Sequence, residues 1–402
     1  MPTRKLFYED SYMRQFQSVV TECREGKQGF EICLQETAFY PEGGGQPFDT
    51  GRLISLEGNA EESEKAVQGN TASVLVREVH EKDGAIWHRT DGPLAPGTPV
   101  RGEIDWERRS DHMQQHSGEH IVSGMICFSR GCDNIGFHLG SGVVEIDFNT
   151  ELSPEDVREL ELRANRYVWE NHEMEITWPS PEELKELPYR SKKELEGEVR
   201  ITRWPGADLC ACCGTHVRRS GEIGQILLLS SMRMKGGTRI EMVCGGRALA
   251  YLNAVKAEND RISHLLSAKW DETSAAVEKL QQEAISLKVQ RNETEQSHIR
   301  EVAEAARGAG NILRFETSLT PDNHRKMVND LMEVCGGRAA VFVGDDETGY
   351  RYVIGEKGGD LRAFTKELNA ALSGRGGGKP FFVQGSVTAG RSEIEAFMMK
   401  AE

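Results

Sequence analysis

The sequence predicts an α+β protein in four parts. These are a small N-terminal β-barrel over residues 1–106, a central two-layer α/β domain over 107–248, a helical arm over 249–308 and a small C-terminal α/β domain over 309–402. Three observations predict this. Residues 1–106 carry short apolar runs separated by Gly, Asn and Asp clusters. The 61 residues between Gly246 and Gly308 contain neither Gly nor Pro. The segments on either side of that stretch mix helical and alternating patterns. With 402 residues and 38% hydrophobic content, the chain has material for several separate cores.

The barrel strands include Phe30-Glu31-Ile32-Cys33-Leu34, Ser73-Val74-Leu75-Val76 and Ala85-Ile86-Trp87, at the spacing of a small closed sheet. Gly43-Gly44-Gly45 is placed in a loop, because three glycines in a row disfavour any regular element. Residues 108–128 read as a helix, with Ser110 or Asp111 as its cap. Residues 143–148 alternate like a strand. Ser153-Pro154-Glu155-Asp156 starts a helix that runs to about Glu173. Residues 198–247 return to β structure. In the arm, Val277, Leu280, Ala284 and Leu287 follow coiled-coil spacing, a seam for its own domain or for a second copy of the chain. The last part carries strands at Ala340-Val341-Phe342-Val343 and near Tyr352-Val353-Ile354, and a loop at 374–380.

Acids exceed bases by 15, which argues against a protein coated in basic charge. No apolar run reaches the roughly 18 residues of a membrane span, and no signal peptide is evident. The nine cysteines are odd in number, and Cys210, Cys212 and Cys213 cluster within four residues. Reduced thiols with one metal cluster fit this better than a disulfide scaffold, so a cytoplasmic location is expected.

His116 and His120 are four apart in the predicted helix, which puts both imidazoles on one face. Cys212-Cys213-Gly214-Thr215-His216 offers a thiolate and a third imidazole at the same spacing. One thiolate with three imidazoles suits zinc, one ion per chain. Spacing leaves the thiolate open. Cys210 and Cys213 form a CxxC and compete with Cys212, although only Cys212 stands four residues from His216. His116-Ser117-Gly118-Glu119-His120 also reads as HxxEH, the zinc-peptidase motif with Glu119 as general base. That class needs a third, usually acidic, ligand on a downstream helix. A Cys and a His in a β/turn context argue against it.

Residues 37–47 combine aromatics, proline and three glycines, and their amides can approach a carboxyl or phosphate oxygen. Residues 200–247 hold eight bases against three acids, which suits a phosphate backbone near the metal. Gly374-Arg375-Gly376-Gly377-Gly378-Lys379-Pro380 is a second candidate RNA contact, without the spacing of a nucleotide-binding P-loop.

Together these motifs resemble the freestanding alanyl-tRNA editing proteins of the AlaX type, in their long form. Residues 37–47 resemble that family's glycine-rich motif, residues 104–120 its first zinc motif, and residues 212–216 followed by Gly221-Glu222-Ile223-Gly224 its second. Residues 374–384 resemble the glycine-rich stretch of the C-terminal domain shared by alanyl-tRNA synthetases and DHH-type phosphoesterases. No Asp-His-His motif is present, so phosphoesterase chemistry is not expected. Two departures stand out: Cys213 occupies a position where glycine is common, and Glu119 a position that varies.

The resemblance implies a trans-editing hydrolase. It would deacylate tRNA(Ala) mischarged with serine, or with glycine, and spare Ala-tRNA(Ala). An alanine-activating pocket rejects an added hydroxyl only weakly, so a second hydrolytic site is needed. The implied metal set is His116, His120, Cys212 and His216. The implied substrate side is Thr37, Gly43, Gly44, Gly45, Gln46 and His138, with Thr37 the candidate for the seryl hydroxyl. For tRNA the candidates are Arg218, Arg219, Arg233, Lys235, Arg239, Arg375 and Lys379. A homodimer through the C-terminal domain or the arm is also implied. A tRNA-binding protein with purely structural zinc and the zinc peptidase remain the alternatives.

Overall fold

The structure is a computed structural model that describes residues 2–27, 29–56, 73–191 and 197–400. The chain divides into two compact units, Met1–Glu258 and Asn259–Glu402. The first begins with β1 (Arg4–Lys5), α1 (Leu6–Glu9), β2 (Gln15–Gly26), β3 (Gly29–Leu34), β4 (Glu36–Thr37), β5 (Gly51–Ser55), β6 (Ser73–Lys82), β7 (Ala85–Thr90) and β8 (Pro99–Ile104). Six of these close a barrel in the order β2-β3-β7-β6-β5-β8, with every neighbouring pair antiparallel. Alternation does the work. Phe16 and Val20 of β2 point inward to meet Ile32, Leu53, Val79, Ile86 and Val100, while their neighbours face water.

The unit continues with α2 (Trp106–Arg130), β9 (Asn134–Leu139), β10 (Val144–Phe148), α3 (Pro154–Glu170), β11 (Glu175–Thr177) and α4 (Pro181–Glu186). It ends with β12 (Ile201–Trp204), β13 (Asp208–Ala211), a 3-10 turn (Ser220–Ile223), β14 (Ile226–Met234) and β15 (Gly237–Cys244). From there α5 (Gly245–Leu266) crosses the division in sequence. A four-stranded sheet, β14-β15-β10-β9, and a three-stranded one, β11-β12-β13, form here.

Helix α2 is capped by Asp105, whose carboxylate accepts from Arg108 N–H at 3.3 Å. This corrects the expected cap. Ser110 and Asp111 lie inside the helix, which starts a turn earlier. Ser110 bonds Glu107 O and Asp111 pairs with Arg247. The middle of α2 is buried on all sides. Gly118 makes this possible, since a Cβ there would lie 2.3 Å from Cys244 Sγ. Helix α3 has the expected start, a capping box between Ser153 and Asp156.

The second unit holds α6 (Thr273–Ala305), β16 (Gly310–Glu316), α7 (Pro321–Val334), β17 (Gly336–Asp345), β18 (Gly349–Glu356), α8 (Arg362–Ala371), β19 (Arg375–Lys379), β20 (Phe382–Val387) and α9 (Arg391–Lys400). Its sheet runs β16-β17-β18-β20-β19. Ile299 of α6 and Met327, Val328 and Leu331 of α7 join the core on one face. Leu368 of α8 and Ile394 of α9 join the core on the other. The expected loop at 374–380 is largely an edge strand instead. Gly376, Gly377 and Gly378 pair with Gly385, Gln384 and Val383 of β20. Glycine lowers strand propensity, but the ladder with β20 outweighs it. In α6 the expected seam residues Val277, Leu280, Ala284 and Leu287 are all exposed. Among the described residues no helix is long and apolar enough to cross a membrane.

Candidate metal centre

His116 and His120 project from the buried middle of α2, and Cys212 and His216 come from the loop that leaves β13. Ligand atoms of all four lie within 4.8 Å of one another. Cys212 Sγ is 3.5 Å from His116 Nε2 and 3.3 Å from His216 Nε2. Each ring is held through its other nitrogen. His116 Nδ1 lies 2.9 Å from Gln46 Oε1, His120 Nδ1 lies 2.7 Å from an Asp208 oxygen and His216 Nδ1 lies 3.2 Å from Ser117 Oγ. An imidazole donating from Nδ1 presents the Nε2 lone pair to an ion.

Charge favours one thiolate. Burial raises the Cys212 thiol, but the imidazoles of His116, His120 and His216 outweigh it and hold it well below the ordinary value. Gly214 N–H also donates to its sulfur at 3.3 Å. Cys210 is buried and donates to Ala211 O at 3.5 Å, and burial pushes its thiol up. A second group, His120, Asp208 and Cys210, is also close enough for an ion. There, however, Arg190 already satisfies Asp208 with bonds of 2.8 and 2.9 Å. Exposed Cys213 lies against the Tyr8 hydroxyl. For His120, burial lowers the pKa, but Cys212 and Asp208 overcome this and raise it to about 10. Burial lowers His216 to about 3.

The glycine-rich loop closes onto this cluster. Gly43 and Gln46 exchange backbone bonds of 3.1 and 2.9 Å. The Gln46 side chain then spans both halves of the donor set. Its Oε1 reaches His116 and accepts from Thr215 N–H at 3.0 Å, and its Nε2 donates to Thr215 Oγ1 at 2.9 Å. Gly214 leaves the space for this, since a Cβ there would stand 2.2 Å from the His116 ring. Phe137 of β9 stacks on His116 at 5.1 Å. Arg109 of α2 and Asp49, both fully buried, form an ion pair that ties the loop to the helix.

Other expected residues stand elsewhere. Thr37 is buried in the barrel, and its hydroxyl donates to His88 Nε2 at 2.9 Å and accepts from Phe39 N–H at 3.1 Å. The direction follows from His88 Nδ1, which donates to Ile32 O. His138 is exposed, next to Phe137 on β9 and so on the opposite strand face. Glu119 accepts from Ser123 and from Asn134, at 2.8 and 2.6 Å. Most of the basic stretch meets acids from distant segments. Arg218 pairs with Asp10, Arg219 with Glu173, Arg233 with Glu151, and Arg239 with Asp147 and Glu145. Lys235, Arg375 and Lys379 are exposed. Sequence reasoning missed Asp208, Ser117, Thr215 and Arg190. Their spacing carries no signal, because Asp208 lies 88 residues from the His120 it holds.

Residues 4–108 match the family model described as tRNA synthetases class II (A). Residues 199–241 match the threonyl and alanyl tRNA synthetase second additional domain, and residues 307–402 the DHHA1 domain. The mouse alanyl-tRNA editing protein Aarsd1 is 25% identical over 421 residues, which covers 98% of this chain and 97% of that one. The chain resembles the alanyl-tRNA editing proteins over nearly its whole length. The alanyl-tRNA editing protein AlaX-L of Pyrococcus horikoshii is 30% identical over 62% of this chain and 60% of its own. The alanine-tRNA ligase of Pyrococcus abyssi is 30% identical over 96% of this chain, which spans only 42% of that ligase.

Proposed function

We propose that the chain is a deacylase for tRNA(Ala) mischarged with serine or glycine, sparing Ala-tRNA(Ala), with one zinc ion held by His116, His120, Cys212 and His216. The observation that carries the reading is Gln46, which joins the glycine-rich loop to both halves of the donor set. The donor set fits zinc. Bond lengths of about 2.3 Å to sulfur and 2.0–2.1 Å to nitrogen give a tetrahedral S···N edge of about 3.5 Å. The Cys212 distances are 3.5 and 3.3 Å. When bound, zinc supplies a fixed positive charge that polarises and orients an ester.

The chain's own groups do the rest. The exposed Gly44 and Gly45 N–H groups meet no acceptor among the described residues, so they are free to donate to the ester oxygen as charge develops on it. Thr37, two residues before Phe39 on the chain that leads into the glycine-rich loop, is the candidate that selects serine. His138, exposed beside Phe137, is available to the tRNA end. The bases Arg218, Arg219, Arg233, Lys235 and Arg239, with Arg375 and Lys379 in residues 309–402, would share the tRNA backbone. The exposed seam of α6 offers a face for a second copy of the chain. Four protein donors describe a closed site, which favours a structural ion as the second reading. Glu119 gives the peptidase reading no support, because its carboxylate is buried among Ser123 and Asn134.

The test is a deacylation time course with Ser-tRNA and Ala-tRNA, both on tRNA(Ala). Loss of serine with alanine spared is expected. Equal stability of both esters on bound tRNA would leave the structural-ion reading.

A further inference from the structure

Arg200 stands just before β12, is only 4% exposed and differs from the fold's other buried or half-buried arginines at its core. Arg109 is paired with Asp49 and Arg190 with Asp208. Among the described residues no carboxylate pairs with Arg200. Its Nη1 donates to Cys212 O at 2.9 Å and Gly214 O at 3.1 Å, so it braces the loop that carries the metal-binding thiol. Its Nε is buried without any partner. Among the described residues its Nη2 meets no acceptor either. A buried guanidinium without a counter-charge is costly. Such a group is stable in function when an anion arrives.

The surroundings say which anion. The guanidinium lies 5.3 Å from the Tyr8 ring centre. Tyr8 in turn meets Trp178 edge-on at 5.7 Å, and Trp178 is 49% exposed. The β11–β12 register pairs Glu175 with Arg203, Ile176 with Thr202 and Thr177 with Ile201. Continued by one step, it sets Trp178 across from Arg200. On the other side, Tyr8 contacts Phe7, Phe7 contacts Tyr40, and Tyr40 Oη donates to Gly43 O at 3.0 Å. The aromatic row therefore leads from an exposed tryptophan to the glycine-rich loop. Stacking rings beside a cation are what single-stranded nucleic acid binds.

We propose that Arg200, Tyr8 and Trp178 form a subsite for the last unpaired nucleotides of an RNA 3′ end. Arg200 takes a backbone phosphate and Trp178 stacks on a base. The subsite deepens the deacylase reading, because it would hold the nucleotide that carries the ester, but its test does not depend on hydrolysis. The probe is the labelled trinucleotide CCA, titrated into the full-length, zinc-loaded protein at several salt concentrations. Arg200→Gln keeps an amide donor for Cys212 O, and Trp178→Ala removes a half-exposed ring. Each variant is expected to weaken binding about tenfold or more. For Arg200→Gln the slope of log Kd against log salt should also fall by about 0.7, the value of one single-strand phosphate.

Affinity within twofold of the starting protein in either variant overturns the proposal. So does a loss in Arg200→Gln with an unchanged salt slope, or one that tracks loss of zinc, because both are marks of a purely structural brace. If the trinucleotide binds through Arg200 while seryl esters stay intact, the deacylase reading fails and the subsite stands.

Discussion

Asp208 illustrates how much of the centre lies outside the residues that could touch an ion. It holds His120 by Nδ1 and is itself held by Arg190. Burial raises its pKa, but His120 and Arg190 outweigh that and keep it ionised below the usual range. Asp208→Asn keeps the shape and removes the charge that makes His120 a strong donor. It should lower metal affinity about 10–100-fold, read by competition with a chelator. Unchanged affinity would remove His120 from the donor set. The three imidazoles of the candidate donor set were legible from two i,i+4 spacings, which left the thiolate open among Cys210, Cys212 and Cys213, and the groups that aim them were not legible at all. Gln46, Ser117 and Asp208 act across the fold, and no periodicity links a loop glutamine to a helix histidine 70 residues away. His88 carries a separate prediction. Burial lowers it to about 4 from 6.5, so the unfolded chain binds the extra proton first. Its contribution is therefore complete above about pH 6.5 and is lost as pH falls toward 4, by about 3 kcal/mol in all. Amide exchange in β3 and β7 should quicken over that window, and His88→Gln should flatten the dependence.

The elements divide into those whose ends were written locally and those decided by their neighbours. Helix α3 starts where Ser153, Pro154 and Asp156 say it must, because its cap is closed within four residues. Helix α2 starts a turn before the expected cap, since Asp105 is positioned by the end of β8 and its N–H donates to Thr50 O. Strand β19 was read as a loop from its glycines. Only the partner strand β20, which no local pattern identifies, makes it a strand. The basic stretch over 200–247 shows the same limit for charge. Its surplus is offset by acids of β10, of the segment that follows α3 and of the N-terminal segment that folding brings beside it. Between elements, the Asp49–Arg109 pair is the firmest join of the glycine-rich loop to α2. Arg109 also donates to Ser11 O. Asp49→Asn leaves a guanidinium buried without its counter-charge and should cost about 3–5 kcal/mol. Denaturant titration measures the loss, and a change under 1 kcal/mol would mean that the pair is not buried in solution.

At the scale of the whole chain, charge is shared unevenly, with −12 on Met1–Glu258 and −3 on Asn259–Glu402. Residues 307–402 carry 13 bases and 13 acids, so the net −15 resides in the preceding part. An acidic first unit repels an RNA backbone at long range, and its local bases are mostly paired with acids. The neutral stretch 307–402, with exposed Arg375 and Lys379, then matters more for affinity than for chemistry. A linked grip raises the effective concentration of the acceptor end at the metal centre without any contact to it. Removal of residues 309–402 should therefore weaken binding of full tRNA(Ala) by about 10²-fold or more, measured by filter binding. It should change hydrolysis of a short seryl-CCA ester far less, because every group assigned to the chemistry lies in Met1–Glu258. Equal loss on both substrates would show that the second unit helps to build the site. Equal retention on both would confine tRNA binding to the unit that holds the metal centre.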